Sequence, residues 1–155
     1  MKIYLLLPLL VFLFSCGNSF SKKNKSKDSK KAISDKIVSI DTFSFSSTEI
    51  EGCSCYFSND STEFQKGQYI YVNDFAETWF LKINGILTEF KQIDFKEVNE
   101  NKTIARAKSD KYEVVIEVFD GLESGDESMF KTGKIKIKPK NGKTTDRNFY
   151  GECGC

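Results

Sequence analysis

Two short cysteine motifs contain the residues best suited to chemistry. They are Gly52-Cys53-Ser54-Cys55 and Gly151-Glu152-Cys153-Gly154-Cys155. In an extended strand, residues i and i+2 point to the same face, so each Cys-x-Cys motif presents two sulfur atoms side by side. Four sulfurs on facing strands can form two disulfides, hold a zinc ion as thiolates, or exchange electrons as a redox pair.

Disulfides between the two motifs are the favoured chemistry. A bridge within one Cys-x-Cys motif closes a very small, strained ring. Antiparallel strands would join Cys53 with Cys155 and Cys55 with Cys153, and parallel strands would reverse the pairing. Closing a loop of about 100 residues stabilises a domain by roughly 4 to 5 kcal/mol in the chain-entropy treatment, and a second, nested bridge adds much less.

The alternative uses of Cys53, Cys55, Cys153 and Cys155 fit the sequence less well. Zinc sites usually have Cys-x2-Cys spacing, and a redox pair needs an exposed thiolate of low pKa beside a cation or a helix N-terminus. The 155-residue chain contains no histidine, which is the commonest general base and metal ligand. Neither a Gly-x-Ser-x-Gly motif nor a phosphate-binding glycine loop occurs. We therefore expect a protein that is not an enzyme and has no cofactor.

Carboxylates are concentrated between Asp120 and Ser128, in the sequence DGLESGDES. We interpret this segment as a long exposed loop. It lacks the Asp-x-Asp-x-Asp-Gly order that fixes calcium ligands, so calcium binding is left open. The candidate binding residues in the segment are Asp120, Glu123, Asp126 and Glu127.

The N-terminus has the residue pattern of an export signal. Met1-Lys2 is followed by an uninterrupted apolar run from Ile3 to Phe14 and then by Ser15-Cys16. Twelve apolar residues are too few to cross a bilayer, which needs about 20, but they match the apolar region of a secretory signal. We predict a signal peptide over residues 1–15.

The stretch Leu13-Phe14-Ser15-Cys16 resembles the lipobox of bacterial lipoproteins. The resemblance implies cleavage before Cys16, a diacylglycerol on its thiol and an acyl chain, typically palmitate, on its new amine. Residues 16–36 would then be a lipidated cysteine and a flexible tether, with seven Lys against Asp28 and Asp35. The remaining domain, 37–155, has 15 basic and 20 acidic residues and a net charge of −5.

Alternating apolar residues and turn motifs after Ile37 predict strands. Asn84-Gly85 favours a type I′ hairpin in which Ile83 faces Ile86 and Trp79 faces Phe90. That register places six residues on one face, which we expect to be core. They are Trp79, Leu81, Ile83, Ile86, Thr88 and Phe90. The opposite face leaves Phe80 and Leu87 as candidates for partner contact or for cover by a neighbouring segment.

A second hairpin is predicted around Lys140-Asn141-Gly142. A three-residue loop is preferred over a two-residue loop, and it sets Ile137 against Thr145 and Ile135 against Arg147. Short strands with frequent turns are typical of an all-β domain. We predict an antiparallel meander, a sandwich or small barrel of about seven or eight strands, clamped by disulfides.

Beyond the lipobox, the sequence segments GCSCYFS and FYGECGC resemble segments of small uncharacterised lipoproteins of the Bacteroidota. This likeness implies no activity. A weaker likeness, in size, anchor and architecture, is to the membrane-bound inhibitors of C-type lysozyme, from which no site is carried over. We expect a lipid-anchored protein of the bacterial envelope that binds an envelope protein or a cell-wall component. The net negative charge of the domain argues against binding of nucleic acid. In surface-exposed lipoproteins of the Bacteroidota, an acidic signal is expected just after the cysteine. Residues 17–23 are not acidic, so the resemblance favours the periplasmic face.

Overall fold

The fold is known from a computed structural model that describes residues 37–45, 50–75 and 77–155. The expected signal peptide, Cys16 and the tether up to Lys36 lie outside the described residues. The described chain forms nine strands and a short helix. They are β1 (Ile40–Asp41), β2 (Ser54–Ser58), α1 (Ser61–Gln65), β3 (Tyr71–Asn73), β4 (Thr78–Ile83), β5 (Ile86–Asn99), β6 (Lys102–Lys108), β7 (Tyr112–Gly125), β8 (Ser128–Pro139) and β9 (Thr145–Gly154).

Eight of these strands close into an antiparallel barrel. Strands β2 to β9 pair in sequence order, and β9 returns to pair with β2. The short β1 adds to the far end of β4, where Ile40 faces Ile83. The predicted all-β meander is therefore confirmed, and of its two forms the chain adopts the barrel. Pairing of β9 with β2 covers the edges that these two strands would expose in an open sheet.

A plug of aromatic rings fills the middle of the barrel. Phe57 stacks on Tyr71 at 5.1 Å between ring centroids and lies 4.7 Å from Phe149. Trp79 continues the plug, 5.3 Å from Tyr71. Gly151 makes room for it, because a Cβ there would lie 2.0 Å from the Tyr56 carbonyl oxygen and 2.5 Å from the Phe57 ring. Small barrels are commonly filled by such alternation of large and small inward residues.

Both predicted hairpin registers are confirmed. Ile83 faces Ile86, and Ile135 faces Arg147. One assignment to the core was wrong, because Ile86 is 64% exposed. The neighbouring strand β6 ends at Lys108, opposite Lys91, so Ile86 projects past the barrel wall with only β4 beside it.

Phe80 is covered by a neighbouring segment, which was one of its two expected outcomes. It lies on the outer wall, where Phe45 approaches it at 5.2 Å. Phe43, Ile50 and Val72 form the buried centre of this outer cluster. Phe80 is therefore part of the packing of the domain.

The interpretation of residues 120–128 as a long loop was wrong. Strand β7 continues to Gly125, and β8 begins at Ser128, so only Asp126 and Glu127 form the turn. Register shifts between Asp120 and Gly125 accommodate the irregular sequence as bulges. The carboxylates are thus held on a paired hairpin.

The one helix of the described residues is α1. Its N-cap is Asp60, whose carboxylate accepts the N–H groups of Thr62 and Glu63 at 2.8 and 2.9 Å. In the described part of the chain, no helix has the length and apolar character needed to span a bilayer.

Candidate ligand-binding mouth of the barrel

One end of the barrel opens into an apolar cavity, and we call this end the mouth. The β3–β4, β5–β6 and β7–β8 connections lie there, together with the paired cysteines of β2 and β9. The cavity measures about 190 Å³, and its floor includes Tyr71, Trp79 and Ile116. It lies directly above the aromatic plug.

Two phenylalanines flank the cavity and remain accessible to solvent. Phe75 and Phe95 both line it, and they are 56% and 55% exposed. Phe95 faces inward because its strand partner is the buried Ala105, whose small side chain leaves space above it. Half-exposed aromatic rings around a cavity are a surface that a ligand can cover.

The β3–β4 connection fixes the position of Phe75. Its φ is 58°, in the left-handed region, and its N–H donates to Asn73 Oδ1 at 3.0 Å. The carboxylate of Asp74 accepts the Thr78 N–H at 2.9 Å and holds the other side of the connection. Such local side-chain bonds to the backbone stabilise turns.

The polar groups of the cavity bond to one another. Asn73 Nδ2 donates to the Tyr71 hydroxyl at 2.5 Å, and Trp79 Nε1 donates to Gln92 Oε1 at 3.3 Å. Burial raises the pKa of Tyr71 far above its ordinary value, although the Asn73 hydrogen bond opposes this shift. Tyr71 is therefore neutral at physiological pH, and the cavity presents a mainly apolar surface.

An acidic depression adjoins the cavity. It measures about 290 Å³ and shares Phe75, Lys131 and Cys153 with the cavity. Its lining also contains the four predicted carboxylates, Asp120, Glu123, Asp126 and Glu127. The structure therefore brings these four residues together beside the mouth.

The carboxylates of the depression have different surroundings. Asp120 faces the barrel interior and pairs with Lys131 Nζ at 2.5 Å, and both side chains are partly buried. Glu123, Asp126 and Glu127 are exposed. Because the Asp120 charge is balanced by Lys131, the other three give the depression its negative charge. Within the described residues, no three acidic, cysteine or histidine side chains are grouped so as to hold a metal ion.

Two disulfides join β2 to β9 at the mouth. Cys53 bonds to Cys155 and Cys55 to Cys153, which is the pairing expected for antiparallel strands. The Cys55–Cys153 disulfide lies in the wall of the cavity, and both of its cysteines are buried. All four sulfurs are oxidised here, so none is a thiolate ligand for zinc.

The sequence also offered two candidates that the mouth does not include. Phe80 lies on the covered outer wall, and Leu87 lies at the opposite end of the barrel, 50% exposed. Sequence reasoning missed Phe75 and Phe95. Phe75 had one visible signal, a large apolar residue within the polar turn Asn73-Asp74-Phe75.

In comparisons with protein-family models, with curated proteins and with solved structures, no significant match is found. The function is therefore inferred from the geometry and chemistry of this chain's own residues.

Proposed function

We propose that the chain is a lipid-anchored binding protein of the bacterial envelope, facing the periplasm, whose ligand site is the barrel mouth. The observation that carries the proposal is an apolar cavity flanked by the half-exposed Phe75 and Phe95 and adjoined by an acidic depression. This combination fits a ligand with an apolar group and a positive charge. The anchor is supported by the lipobox Leu13-Phe14-Ser15-Cys16.

Size and charge narrow the ligand class. A cavity of about 150 Å³ lined by apolar side chains accepts benzene, so 190 Å³ suits one aromatic ring or a short branched alkyl group. Covering Phe75 and Phe95 would stabilise the complex by roughly 25 cal/mol for each Å² of apolar surface removed from water. A cation beside these rings would gain cation–π attraction and a favourable interaction with Glu123, Asp126 and Glu127.

Trp79 provides a built-in reporter for this proposal. It is the only tryptophan of the chain, and it lines the cavity. Titration with phenylpropylammonium should change its fluorescence in a saturable way, whereas phenylpropionate, with the same ring and the opposite charge, should give a much smaller change. Equal responses would remove the charge preference, and no response to either probe would overturn the mouth as the site.

The anchor has a separate test. Replacement Cys16→Ser should release the protein from the membrane fraction, because the thiol that carries the diacylglycerol is absent. The mass of the wild-type protein should show cleavage before Cys16 and added acyl chains. A Cys16→Ser protein that still sediments with membranes would contradict lipidation at this residue.

A second candidate function is inhibition of a basic enzyme, in keeping with the architectural likeness to lysozyme inhibitors. The acidic depression favours it, because Glu123, Asp126 and Glu127 would attract a cationic partner surface. In this case the cavity would receive an apolar side chain of the partner. Loss of activity of a C-type lysozyme on addition of the domain would support this candidate, and unchanged activity would remove it.

Zinc binding and thiol redox chemistry are the remaining alternatives for the cysteines. Both require reduction of Cys53–Cys155 and Cys55–Cys153. Native mass spectrometry with metal analysis distinguishes them. A mass about four hydrogens below that of the reduced chain, without metal, would agree with two disulfides, whereas four thiols and one zinc would favour the metal alternative.

A further inference from the structure

The end of the barrel opposite the mouth combines lysines with exposed aliphatic side chains, and we call it the basic end. The β4–β5, β6–β7 and β8–β9 connections lie there. Ile37, the first described residue, bridges to Lys143 at the same end. The segment that links the domain to Cys16 therefore joins the barrel at its basic end.

Two joined clefts form the surface of the basic end. The larger, about 830 Å³, separates the tip of the β4–β5 hairpin from the β6–β7 turn and is lined by Lys91, Lys108 and Lys111. The smaller, about 500 Å³, shares Lys108 and adds Lys138 and Lys140. Three carboxylates, Glu89, Asp110 and Glu113, lie in the same clefts. The clefts are thus net positive on a domain whose net charge is −5.

Exposed aliphatic side chains accompany these lysines. Ile86 and Leu87, at the hairpin tip, line the larger cleft and are 64% and 50% exposed. Ile37 is 70% exposed. Lysines next to protruding aliphatic residues are the combination that binds the interface of an anionic bilayer, where the ammonium groups meet phosphates and the aliphatic groups enter the acyl boundary.

We propose that the basic end docks on a bilayer surface that contains anionic phospholipids. Ile86 and Leu87 enter the interfacial layer, Lys108, Lys111 and Lys140 contact phosphates, and the mouth faces away from the membrane. The proposal rests on the proposed anchor only for proximity to the membrane. Anchoring makes this second contact intramolecular, so a surface of modest charge is sufficient.

The test supplies the attachment independently of Cys16. Residues 37–155 contain all the described strands, both disulfides and the whole described core, so this domain is expected to fold alone. The chain has no histidine, so an N-terminal hexahistidine tag gives one defined attachment to vesicles with trace nickel-chelating lipid. The vesicles contain phosphatidylglycerol with brominated acyl chains, which quench tryptophan at the interface.

The reporter is Leu87→Trp, and Leu122→Trp is its matched control. Leu122 lies on β7 towards the mouth and is 81% exposed. We expect strong quenching of Leu87→Trp and little quenching of Leu122→Trp, with Trp79 as a constant background. Equal quenching at the two positions, or stronger quenching of Leu122→Trp, would overturn the orientation.

Charge is tested in the Leu87→Trp background. The pair Lys111→Gln and Lys140→Gln should lower the docked fraction about fivefold, because each lysine near an anionic surface contributes to attraction. Lys96→Gln and Arg106→Gln, which remove the same charge from the exposed outer wall, should change it little. Docking that survives the first pair unchanged would overturn the proposal. Since the tag provides attachment, this result is independent of whether Cys16 is lipidated.

Discussion

The two ends of the barrel differ in charge, closure and packing. At the mouth, two disulfides join the strands, an apolar cavity opens above the aromatic plug, and carboxylates line the adjoining depression. At the basic end, hairpin tips project past the wall with Ile86 and Leu87 exposed among lysines. The net charge of the domain conceals this separation along the barrel axis.

The meander itself produces the separation. In an up-and-down barrel, every second connection lies at the same end. The β5–β6 and β7–β8 connections carry Glu100, Asp126 and Glu127, whereas the β8–β9 connection carries Lys140 and Lys143, and the β6–β7 connection carries Lys111 beside Asp110. Charges that are interspersed in the sequence are therefore sorted to opposite ends by the topology.

The largest expected effect comes from removing the two disulfides that join β2 to β9 at the mouth. Replacing all four paired cysteines by serine should lower the free energy of unfolding by about 4 to 5 kcal/mol, because both bridges close loops of about 100 residues in the unfolded chain. Cys53→Ser with Cys155→Ser should cost far less, since Cys55–Cys153 still closes nearly the same loop. Denaturant titration measures both variants, and equal losses would contradict this account of the nested bridges.

The plug between the two ends should be the next most sensitive feature. Gly151→Ala is expected to cost about 1 to 3 kcal/mol, because the new Cβ would overlap the Tyr56 carbonyl and the Phe57 ring. Asn148→Ala, an exposed change in the same strand, should alter stability by less than about 0.5 kcal/mol. Thermal unfolding measures the stability of both variants. If Gly151→Ala left stability unchanged, the neighbouring strand would be able to shift and accommodate the new Cβ.

Variants at the mouth should separate binding from stability. Phe75→Ala with Phe95→Ala should weaken phenylpropylammonium binding about tenfold, equivalent to roughly 1.4 kcal/mol. Both rings are half-exposed, so the folded domain should remain intact, as shown by circular dichroism. The matched variant Ile86→Ala with Leu87→Ala removes aliphatic groups from the other end and should leave binding of this probe unchanged. If both variants weakened binding of phenylpropylammonium equally, the mouth would not be the specific site of this probe.

A smaller, pH-dependent effect is expected at the basic end. The Asp41 carboxylate accepts the Ser39 hydroxyl and, at 2.6 Å, the Gly85 N–H, and these bonds lower its pKa below the ordinary value. The lowered pKa stabilises the fold above the ordinary carboxyl pKa, and this contribution disappears as pH falls through the lowered value.

Asp41→Asn should therefore reduce stability by about 1 kcal/mol at neutral pH, a modest amount because Asp41 is near solvent. The difference from wild type should vanish in strongly acidic solution. Asp126→Asn, at the exposed β7–β8 turn, is the matched control and should show little change at neutral pH. Unfolding curves collected across acidic and neutral pH would test this, and a constant difference at all pH values would contradict the role of the charge.

Local signals in the sequence determined much of the fold. Asn84-Gly85 fixed one register, and the inward alternation of Ile135 and Ile137 fixed the other. The two Cys-x-Cys motifs indicated that the strands that carry them, β2 and β9, lie side by side. These features depend on residues close in sequence or on the period of a strand, so they are visible without the tertiary structure.

The binding site could not be found in the same way. A β-bulge at Ile93 shifts which side chains of β5 point into the barrel, and Phe95 therefore faces the cavity. The local sequence contains no feature that predicts this bulge. Asp120 to Gly125 pair with β8 despite a composition of weak strand propensity, since main-chain pairing to a long neighbour outweighs it. The alternation also fails at Ile70 and Tyr71, which are consecutive and both fully buried.

The most direct test of the mouth as the ligand site is amide chemical-shift mapping of domain 37–155 during titration with phenylpropylammonium. The account predicts saturable shifts concentrated around Asn73, Phe75, Phe95, Thr103 and Lys131, with the basic end unchanged. Shifts concentrated at Ile86 to Lys91 or on the outer wall near Phe80, with the mouth unaffected, would contradict it.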